Sequence, residues 1–432
     1  MSRVSFLHCA DVHLGNLQYN EPRRLQDFAG AFRQVVDYAL DSKVDFVLVS
    51  GDFFHKRSIN AETLEQSVNL LSPLKEAGIP VFAIEGNHDK AYYVDKNSWL
   101  GFLNNQGYLN LLTPSFQGGE LVLSPWNEET KSGSVYDLPG ARVCGVGYLG
   151  VTTASRLEEI LGQFPGKGDR FTVFMLHAAV NRLLVHELGG IKRELLEPFR
   201  PKVDYLALGH IHSRYELDGW IYNPGSLECV HLDEFGPGKE KGFYHVSAGD
   251  KGVEAVYVPS RCRPVCRYSV DISASREARD VCELLWREIS PQAPAEGAQV
   301  QVTLYGQVPY SPLGLDLEFL AARLKETYSC LHVEILNRIN LPVEEKLAEG
   351  STVKREDVER LVFRQVLAQE RNWEEGDLAG AVEAVRRVKE MALAGEDSEE
   401  IIKFLLESSS ALLGDDATGQ ERGENGGEAG EN

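Results

Sequence analysis

The sequence predicts an α/β fold over roughly its first 260 residues. Short apolar runs rich in Val, Ile, Leu and Phe alternate there with longer segments in which apolar residues recur every three or four positions. The short runs are continuously apolar, as is typical of strands that are buried on both faces of a sheet. Buried strands that alternate with helices predict a layered α/β architecture.

Five apolar runs in this region each end abruptly in polar residues. They are residues 4–11, 44–52, 80–89, 170–178 and 203–212. Two helical patterns separate the first three runs. Residues 23–42 repeat apolar residues at intervals of three and four, and residues 60–78 begin with Asn60 as an N-cap and end at a glycine.

The pattern of strands and helices restarts after residue 260. Residues 265–340 predict a βαβαβ unit, which we interpret as a small α+β capping domain at 261–345. Residues 350–413 are helical in period, and their apolar face either packs on the body or offers a partner a docking surface. The Gly- and Glu-rich tail, 414–432, is predicted to be disordered.

Composition limits the classes of function. The 432 residues allow two or three domains. The chain lacks an apolar run of the roughly 20 residues that span a membrane, and its N-terminus turns polar too early for a signal peptide, so we expect a cytoplasmic protein without membrane contact. The net charge of −21 argues against binding nucleic acid by electrostatics alone, although a bound divalent cation would change the local charge.

Potential metal ligands stand at the end of each of the five apolar runs. They are Asp11 and His13, Asp52, Asn87 and His88, His177, and His210 and His212. The carboxyl ends of the strands are where α/β sheets bind ligands, so residues from distant parts of the chain are expected to converge there. Residues two apart in an extended chain point to the same side, which lets Asp11 and His13 serve one site.

The chemistry of these residues indicates a divalent metal site. Mixed oxygen and imidazole ligands suit Mn²⁺, Fe²⁺ or Zn²⁺ better than Ca²⁺, and the lack of thiolates argues against a structural zinc site. Each motif alone occurs often by chance, and a single histidine at a strand end is usually a satisfied polar residue. All five motifs in order, each after its own apolar run, favour a common site.

The series D-x-H, G-D, G-N-H-D, H and G-H-x-H resembles the calcineurin-like metallophosphoesterase family. Within that family, the segments C-A-D-V-H-L-G, G-D-F-F-H-K-R-S-I, I-E-G-N-H-D and N-P-G-S-L-E are similar to DNA double-strand-break repair nucleases of the SbcD type. The resemblance covers residues 4 to about 245 and implies a double β-sheet sandwich flanked by helices. Residues 1–260 would then form the nuclease domain, and 261–345 the capping domain.

The resemblance also implies a site for two divalent ions, with Mn²⁺ expected. One ion would be held by Asp11, His13, Asp52 and His212, and the second by Asn87, His177 and His210, with Asp52 bridging the two ions. His88 would donate a proton to the leaving oxygen of a phosphodiester.

Three further residues are expected near this site. His55 stands three residues after Asp52, where related phosphatases carry an aspartate that pairs with the histidine of the G-N-H motif. His55 is therefore expected to orient His88 or touch the phosphate, unless it is only a polar residue at the surface. Asn223 and Ser226 resemble a loop beside the family's site and would contact the phosphate, unless they form only a Pro-Gly turn.

The function that the resemblance implies is a Mn²⁺-dependent DNA nuclease, a 3′-to-5′ exonuclease with endonuclease activity in double-strand-break repair. DNA, a coiled-coil ABC ATPase of the SbcC type and a second copy of the chain are the expected partners. One alternative is a small-molecule or cyclic-nucleotide phosphodiesterase, which has no evident need for the extra domain and helices. Another is a non-catalytic scaffold, which would be expected to have lost a ligand. A protein phosphatase is disfavoured because that group carries G-N-H-E.

Overall fold

The computed structural model describes residues 3–92, 97–180, 190–236, 239–249, 252–310 and 314–340, and beyond these residues 359–360, 363–364, 366–367, 375–394, 396, 400–405 and 408. The chain divides into two compact units, one of residues 1–265 with 297–299 and one of residues 266–296 and 300–432. The predicted tail, 414–432, lies outside the described residues, as does most of the helical pattern at 355–370.

The first unit contains fourteen strands and four α-helices among its described residues. The strands are β1 (Val4–Cys9), β2 (Phe46–Val49), β3 (Val81–Ala83), β4 (Asn110–Leu111), β5 (Ser115–Gln117), β6 (Glu120–Val122), β7 (Val135–Leu138), β8 (Ala141–Val146), β9 (Phe171–His177), β10 (Tyr205–Gly209), β11 (Tyr215–Leu217), β12 (Ile221–Asn223), β13 (Gly242–Gly249) and β14 (Gly252–Pro259). The helices are α1 (Pro22–Ser42), α2 (Ala61–Glu76), α3 (Trp99–Asn105) and α4 (Thr153–Gln163).

Two six-stranded sheets form the body of this unit. The first has the order β14-β13-β1-β2-β3-β4 and the second the order β11-β12-β10-β9-β8-β7. Strands β1 to β4 run parallel, and so do β8, β9, β10 and β12, whereas β13 pairs antiparallel with β1. The two sheets pack face to face, with Phe6 and Phe46 of the first sheet against Tyr205 of the second in one core. The predicted double β-sheet sandwich flanked by helices is confirmed.

The apolar runs are continuous because their strands are buried on both faces. In β1, Phe6 faces the core between the sheets, whereas its neighbour Leu7 packs with α1 and α2 on the outer face. Helix α2 begins as predicted, with the Asn60 Oδ1 atom accepting a hydrogen bond from the Thr63 N–H at 2.9 Å, and the chain leaves it at Gly78, where φ is +69°.

The second unit contains the predicted small α+β fold. Its elements are β15 (Val265–Asp271), α5 (Asp280–Ile289), β16 (Gln299–Gln307), α6 (Leu317–Tyr328), β17 (His332–Asn340) and α7 (Glu375–Ala394). The strands form one sheet of order β15-β16-β17. In α7, Leu378, Val382 and Met391 are buried. Within the described residues, no helix combines the length and the apolar character that a membrane crossing requires.

A buried arginine ties α1 to the loop after β12. The Arg24 side chain is fully buried, with guanidinium nitrogens 2.7 Å from the Asp27 carboxylate and 3.3 Å from that of Glu228. It also donates hydrogen bonds to the Gln18 side chain at 2.8 Å and to the Cys229 carbonyl at 2.9 Å. The pair with Glu228 is buried on both sides, so losing the arginine leaves a buried carboxylate without its partner.

Arg24→Met is therefore expected to lower the free energy of unfolding by about 3–5 kcal/mol, because Glu228 stays buried without its counter-charge. Urea denaturation measures the change. Arg23→Met is the matched control, since the Arg23 side chain is 55% exposed and its pair with Glu21 is worth at most about 1 kcal/mol. Equal losses in the two variants would contradict the role given to the buried network.

Candidate metal centre

The loops that follow five strands place the predicted ligands at one edge of the sandwich. Asp11 and His13 follow β1, Asp52 follows β2, Asn87 and His88 follow β3, His177 ends β9, and His210 and His212 follow β10. The first three strands belong to one sheet and the last two to the other. The site is thus assembled from both sheets, at the carboxyl ends of their parallel strands.

The backbone is held in an unfavourable conformation at four of these residues. The φ angles of Asp11, His13, Asp52 and His210 are +50°, +51°, +50° and +88°. Such angles cost non-glycine residues of order 1–3 kcal/mol each and persist only where the surroundings enforce them. Here the loops after β1 and β2 enforce them by hydrogen bonds from the Asp11 N–H to the Gly51 carbonyl and from the His13 N–H to the Asp52 carbonyl.

One donor cluster consists of Asp11, His13 and His212. One ligand atom from each lies within 4.8 Å of the others. The Nε2 atoms of His13 and His212 are 3.1 Å apart. Asp11 and His13 are fully buried, and both Asp11 carboxylate oxygens accept a hydrogen bond from the His210 N–H at 3.1 Å.

A second donor cluster consists of Asp52, His177 and His210, joined by Asn87. The His177 Nε2 atom lies 3.4 Å from the Asp52 Oδ2 atom and 3.3 Å from the Asn87 Oδ1 atom. The Asn87 Oδ1 atom also lies 3.1 Å from the His210 Nδ1 atom. An amide oxygen, a carboxylate and two imidazoles therefore present ligand atoms to a common point.

In His177 and His212, a hydrogen bond to one ring nitrogen leaves the other ring nitrogen free to bind a metal. The His177 Nδ1–H donates to the Ser50 carbonyl at 2.7 Å, which leaves Nε2 facing the cluster. The His212 Nδ1 atom lies 2.6 Å from the Glu234 carboxylate, which likewise leaves Nε2 facing His13. A Cβ atom on Gly51 would stand 2.1 Å from the His177 Nδ1 atom, so glycine is required where these segments meet.

The electrostatics of the cluster oppose protonation of several imidazoles. Burial lowers the pKa of His13 well below its usual value and, together with the neighbouring His177, lowers the pKa of His210 to about 4. Burial alone would also lower the pKa of His177, but the adjacent Asp52 carboxylate raises it to about 9. For Asp11, burial raises the pKa to about 6. A divalent cation would supply positive charge beside the Asp11 carboxylate, and it would replace the proton that His177 otherwise holds next to Asp52.

The donor set therefore fits divalent cations. Two carboxylates, one amide oxygen and four imidazoles are the ligands preferred by Mn²⁺, Fe²⁺ and Zn²⁺. Two unprotonated imidazole nitrogens that face each other at 3.1 Å repel each other unless a cation or a proton lies between them. Assignment of individual ligands to two ions, with Asp52 as the bridge, stays a prediction.

His88 lies beside both clusters. Its backbone N–H donates to the Asp52 Oδ1 atom at 2.9 Å, and its Nδ1–H donates to the His55 backbone carbonyl at 2.7 Å. The ring stands edge-on to that of His13, with centroids 5.1 Å apart. A carbonyl oxygen only accepts hydrogen bonds, so the His88 Nδ1 atom carries a proton and Nε2 remains for chemistry.

His55 lies against His88, the residue that it is expected to orient. The His55 backbone carbonyl accepts the hydrogen bond from the His88 Nδ1–H, and the His55 ring stacks on the His88 ring with centroids 5.5 Å apart and planes at 19°. The His55 Nδ1 atom is 3.4 Å from the His13 Nδ1 atom. Burial, with the nearby His88 and Lys56, lowers the pKa of His55 to about 4. His55 thus lies partly buried beside the candidate ligand His13, and its role stays a prediction.

The substrate-binding role expected for Asn223 and Ser226 disagrees with their positions. Both are fully buried. The Asn223 side-chain amide donates to the carbonyls of Ile211 and Ser213 at 2.7 and 2.9 Å, and the Ser226 hydroxyl donates to the Glu228 carbonyl at 2.8 Å. Neither reaches a surface where a phosphate could bind, so both stabilise the loop that carries His212.

Two charged residues behind His212 were missed by sequence reasoning. The Glu234 Oε2 atom accepts hydrogen bonds from the Lys241 ammonium at 2.7 Å and from the Val230 N–H at 3.1 Å. Lys241, which is only 4% exposed, also donates to the His212 carbonyl at 2.8 Å. Because Lys241 immediately precedes β13, it connects the first sheet to a ligand loop of the second. No motif spacing in the sequence marks either residue.

The buried Asp89 carboxylate connects two of the loops that carry candidate ligands. It accepts backbone hydrogen bonds from Phe53, Phe54 and Gly86 at 3.1, 2.8 and 3.0 Å. It therefore ties the loop after β2 to the loop after β3. Burial, with the neighbouring Asp52, raises the pKa of Asp89 to about 7.

The segment that carries these residues is similar to known proteins. Residues 4–214 match the model of the calcineurin-like phosphoesterase family. The DNA double-strand break repair protein Mre11 of Archaeoglobus fulgidus is 38% identical over 242 residues, which cover 54% of this chain and 52% of that protein. The proteins of the same name from Haloferax volcanii and Saccharolobus solfataricus are 40% identical over 313 residues and 31% identical over 246 residues.

The matched segments cover 71% of this chain and 62% of the Haloferax protein, and 55% of this chain and 58% of the Saccharolobus protein. The chain thus spans between about half and two thirds of the length of these relatives. The family match covers all seven predicted metal ligands and His88. The resemblance inferred from the five motifs is confirmed.

Glu234→Gln is expected to weaken divalent-metal binding about 10- to 100-fold, because the amide is a poorer acceptor for the His212 Nδ1–H and leaves Lys241 without its counter-charge. Isothermal titration calorimetry with Mn²⁺ measures the affinity. Asp233→Asn is the matched control, since Asp233 is the neighbouring residue and is exposed. Unchanged metal affinity in a folded Glu234→Gln variant would contradict the supporting role.

Proposed function

Because residues 4–214 match the model of the calcineurin-like phosphoesterase family, we propose that the chain is a divalent-metal-dependent phosphodiesterase that hydrolyses DNA. The observation that carries the proposal is the convergence of two donor clusters, with His88 beside them, at one edge of the sandwich. Its similarity to proteins named for DNA double-strand break repair favours DNA over other phosphodiesters.

We propose that the ligands divide between two ions. One ion would be held by Asp11, His13, Asp52 and His212. The other would be held by Asn87, His177 and His210, with Asp52 bridging the two ions. Two divalent ions held there would polarise the phosphodiester and lower the pKa of a bound water. The protein's own part is to hold the ligand nitrogens and oxygens in place through the Ser50 carbonyl and the Glu234 carboxylate.

His88 is the proposed acid for the leaving oxygen. Its Nδ1 proton is committed to the His55 carbonyl, so the Nε2 atom is the one that can give a proton to the leaving group. The stacked His55 ring restricts the orientation of the His88 ring and excludes water from one of its faces. His55 is accordingly proposed as a positioning residue rather than as a direct partner of the phosphate.

The finer features of the function are proposals of the same kind. The mixture of oxygen and imidazole donors suits Mn²⁺, Fe²⁺ and Zn²⁺, and the family resemblance supports Mn²⁺ among these. The family resemblance supports 3′-to-5′ exonuclease and endonuclease activity, assembly with a coiled-coil ABC ATPase of the SbcC type, and a homodimer in the cytoplasm. We propose residues 261–345 as the capping domain, and residues 350–413, which include α7, as the region that docks the ATPase.

The main alternative is a phosphodiesterase for cyclic nucleotides or other small diesters. The same ligand clusters would serve that reaction, since they contact only the phosphate. A non-catalytic scaffold is disfavoured because each of the seven ligand positions carries a residue that can bind a metal.

The proposal predicts that Mn²⁺ and linear duplex DNA release nucleotides, and that cyclic nucleotides are turned over far more slowly. Chromatographic quantification of products from a panel of both substrates measures this preference. Reactions with EDTA are the control and should be inactive. Rapid turnover of cyclic nucleotides beside intact DNA would show that the alternative is correct.

His88→Ala is expected to lower the rate of DNA cleavage by roughly 10²- to 10⁴-fold while Mn²⁺ affinity is kept, because an acid is lost but no ligand is. His55→Ala should lower it less, since alanine keeps the backbone carbonyl that holds His88. Cleavage rates and calorimetric Mn²⁺ affinities are compared with those of His245→Ala, in which the lost ring contacts Ser5 and Tyr38 away from the clusters. Loss of metal together with activity in His88→Ala would contradict its assignment as the acid.

A further inference from the structure

An aromatic residue that belongs to none of the five motifs stands against the second donor cluster. Tyr148 follows β8, the neighbour of β9 in the second sheet. Its ring centroid is 5.4 Å from that of His210, with planes tilted by 40°, and 6.0 Å from that of His177. The Tyr148 side chain is only partly buried, so the ring lies at the boundary between the cluster and solvent.

The backbone fixes the position of this ring. The Tyr148 N–H donates to the Glu85 carbonyl at 2.8 Å, which joins the loop after β8 to the loop that carries Asn87. A Cβ atom on Gly147 would stand 2.7 Å from the same carbonyl, so the two loops approach more closely there than a larger residue allows. Gly150, with φ of +62°, turns the chain beside the ring. The ring is thus preorganised by its loop.

We propose that the Tyr148 ring is a stacking platform for a nucleobase, the one attached to the nucleotide at the scissile phosphate. This inference rests on the proposed DNA-hydrolysing function. A phosphate held by a metal ion at the second cluster would lie beside Asn87 and His210, and the Tyr148 ring contacts the rings of His210 and His177 in that cluster. Stacking on an aromatic ring accepts any base, because every base has a π-face.

The placement of Tyr148 differs from that of the structural tyrosines of the sandwich. Tyr205 and Tyr222 stack on each other with centroids 4.5 Å apart and are buried in the core between the sheets. Tyr148 instead exposes part of its surface next to the candidate centre. The chain's charge of −21 adds a second reason, since an acidic protein gains little from general attraction to phosphates and needs contacts that do not depend on charge.

The test compares DNA ends that differ only in one base. Duplexes carry either a normal or an abasic nucleotide at the terminus, at the 3′ and 5′ ends in separate substrates. The wild-type protein is expected to have a KM about tenfold lower for the base-bearing end, and Tyr148→Ala to lose that preference. Tyr148→Phe keeps the ring and should behave as wild type. Val151→Ala, at a 74% exposed residue of the same loop, should also leave the preference unchanged.

A fluorescent base gives a readout that does not require turnover. A terminal 2-aminopurine should be quenched when wild-type protein or Tyr148→Phe binds it with Mn²⁺, and should stay bright with Tyr148→Ala. Phosphorothioate linkages keep the DNA intact during the measurement. Calorimetric Mn²⁺ affinity of Tyr148→Ala is expected to equal that of the wild-type protein.

Three results would overturn the stacking role. If Tyr148→Phe behaves as Tyr148→Ala, the hydroxyl rather than the ring is the contact. If Tyr148→Ala raises KM equally for base-bearing and abasic ends, or weakens Mn²⁺ binding, the ring only positions His210 and His177. If Val151→Ala has the same effect, the loop rather than the ring matters. A wild-type protein that neither binds nor cuts DNA would refute the proposed function itself, which is distinguishable because it requires no variant.

Discussion

The neutral imidazole of His8 joins the two sheets and holds together the strands from which the candidate metal centre is built. His8 belongs to β1 and is fully buried, and burial lowers its pKa to about 3. Its Nε2–H donates to the Leu208 carbonyl of β10 at 3.0 Å, and its Nδ1 atom accepts from the Tyr205 hydroxyl at 2.9 Å. Ser50, whose hydroxyl is 3.0 Å from the same Nε2 atom, uses its carbonyl to orient His177. One uncharged ring therefore connects the two sheets and also contacts Ser50, the residue that orients the candidate ligand His177.

The close approach of these strands explains why glycines accompany the ligands. A Cβ atom on Gly86 would lie 2.0 Å from the Asp52 Oδ1 atom, and one on Gly209 would lie 2.1 Å from the Ser50 carbonyl. In the same crowded region Asp11 and Asp52 have left-handed backbone conformations. The backbone hydrogen bonds between the loops after β1 and β2 offset the cost of these conformations. The candidate centre thus combines glycines, which have no side chain, with strained backbone at Asp11 and Asp52. Both features bring the candidate ligand atoms closer together than regular strands would.

The parts of the site that could be predicted from sequence are those that depend on a local pattern of consecutive residues. Strand burial and the polar residue that ends each strand are local, so Asp11, Asp52 and His177 were recognisable from the run that precedes them. Contacts between distant segments leave no such pattern. Glu234 and Lys241 both lie on the segment before β13, which pairs with β1 in the first sheet, and from there they reach His212 of the second sheet.

Asn223 and Ser226 show the converse limit of sequence reasoning. A Pro-Gly turn has the same sequence whether it faces solvent or, as here, is buried beneath the loop that carries His212. The sequence indicates the type of local structure around them, whereas only the tertiary packing shows that the Asn223 amide nitrogen and the Ser226 hydroxyl donate to backbone carbonyls.

Two basic residues near the candidate centre form hydrogen bonds within the protein, which leaves less of their charge to bind a DNA substrate. Lys241 is buried against Glu234 and the His212 carbonyl. Arg57 directs two guanidinium nitrogens to the Asn87 carbonyl at 3.3 Å, so part of its hydrogen-bonding capacity stabilises a ligand loop. These cations support the protein's own carbonyls and carboxylates more than they offer a surface to phosphates. Affinity for the proposed substrate would then arise mainly where metal ions meet the scissile phosphate and where a base meets the Tyr148 ring, which places recognition and chemistry in one small region.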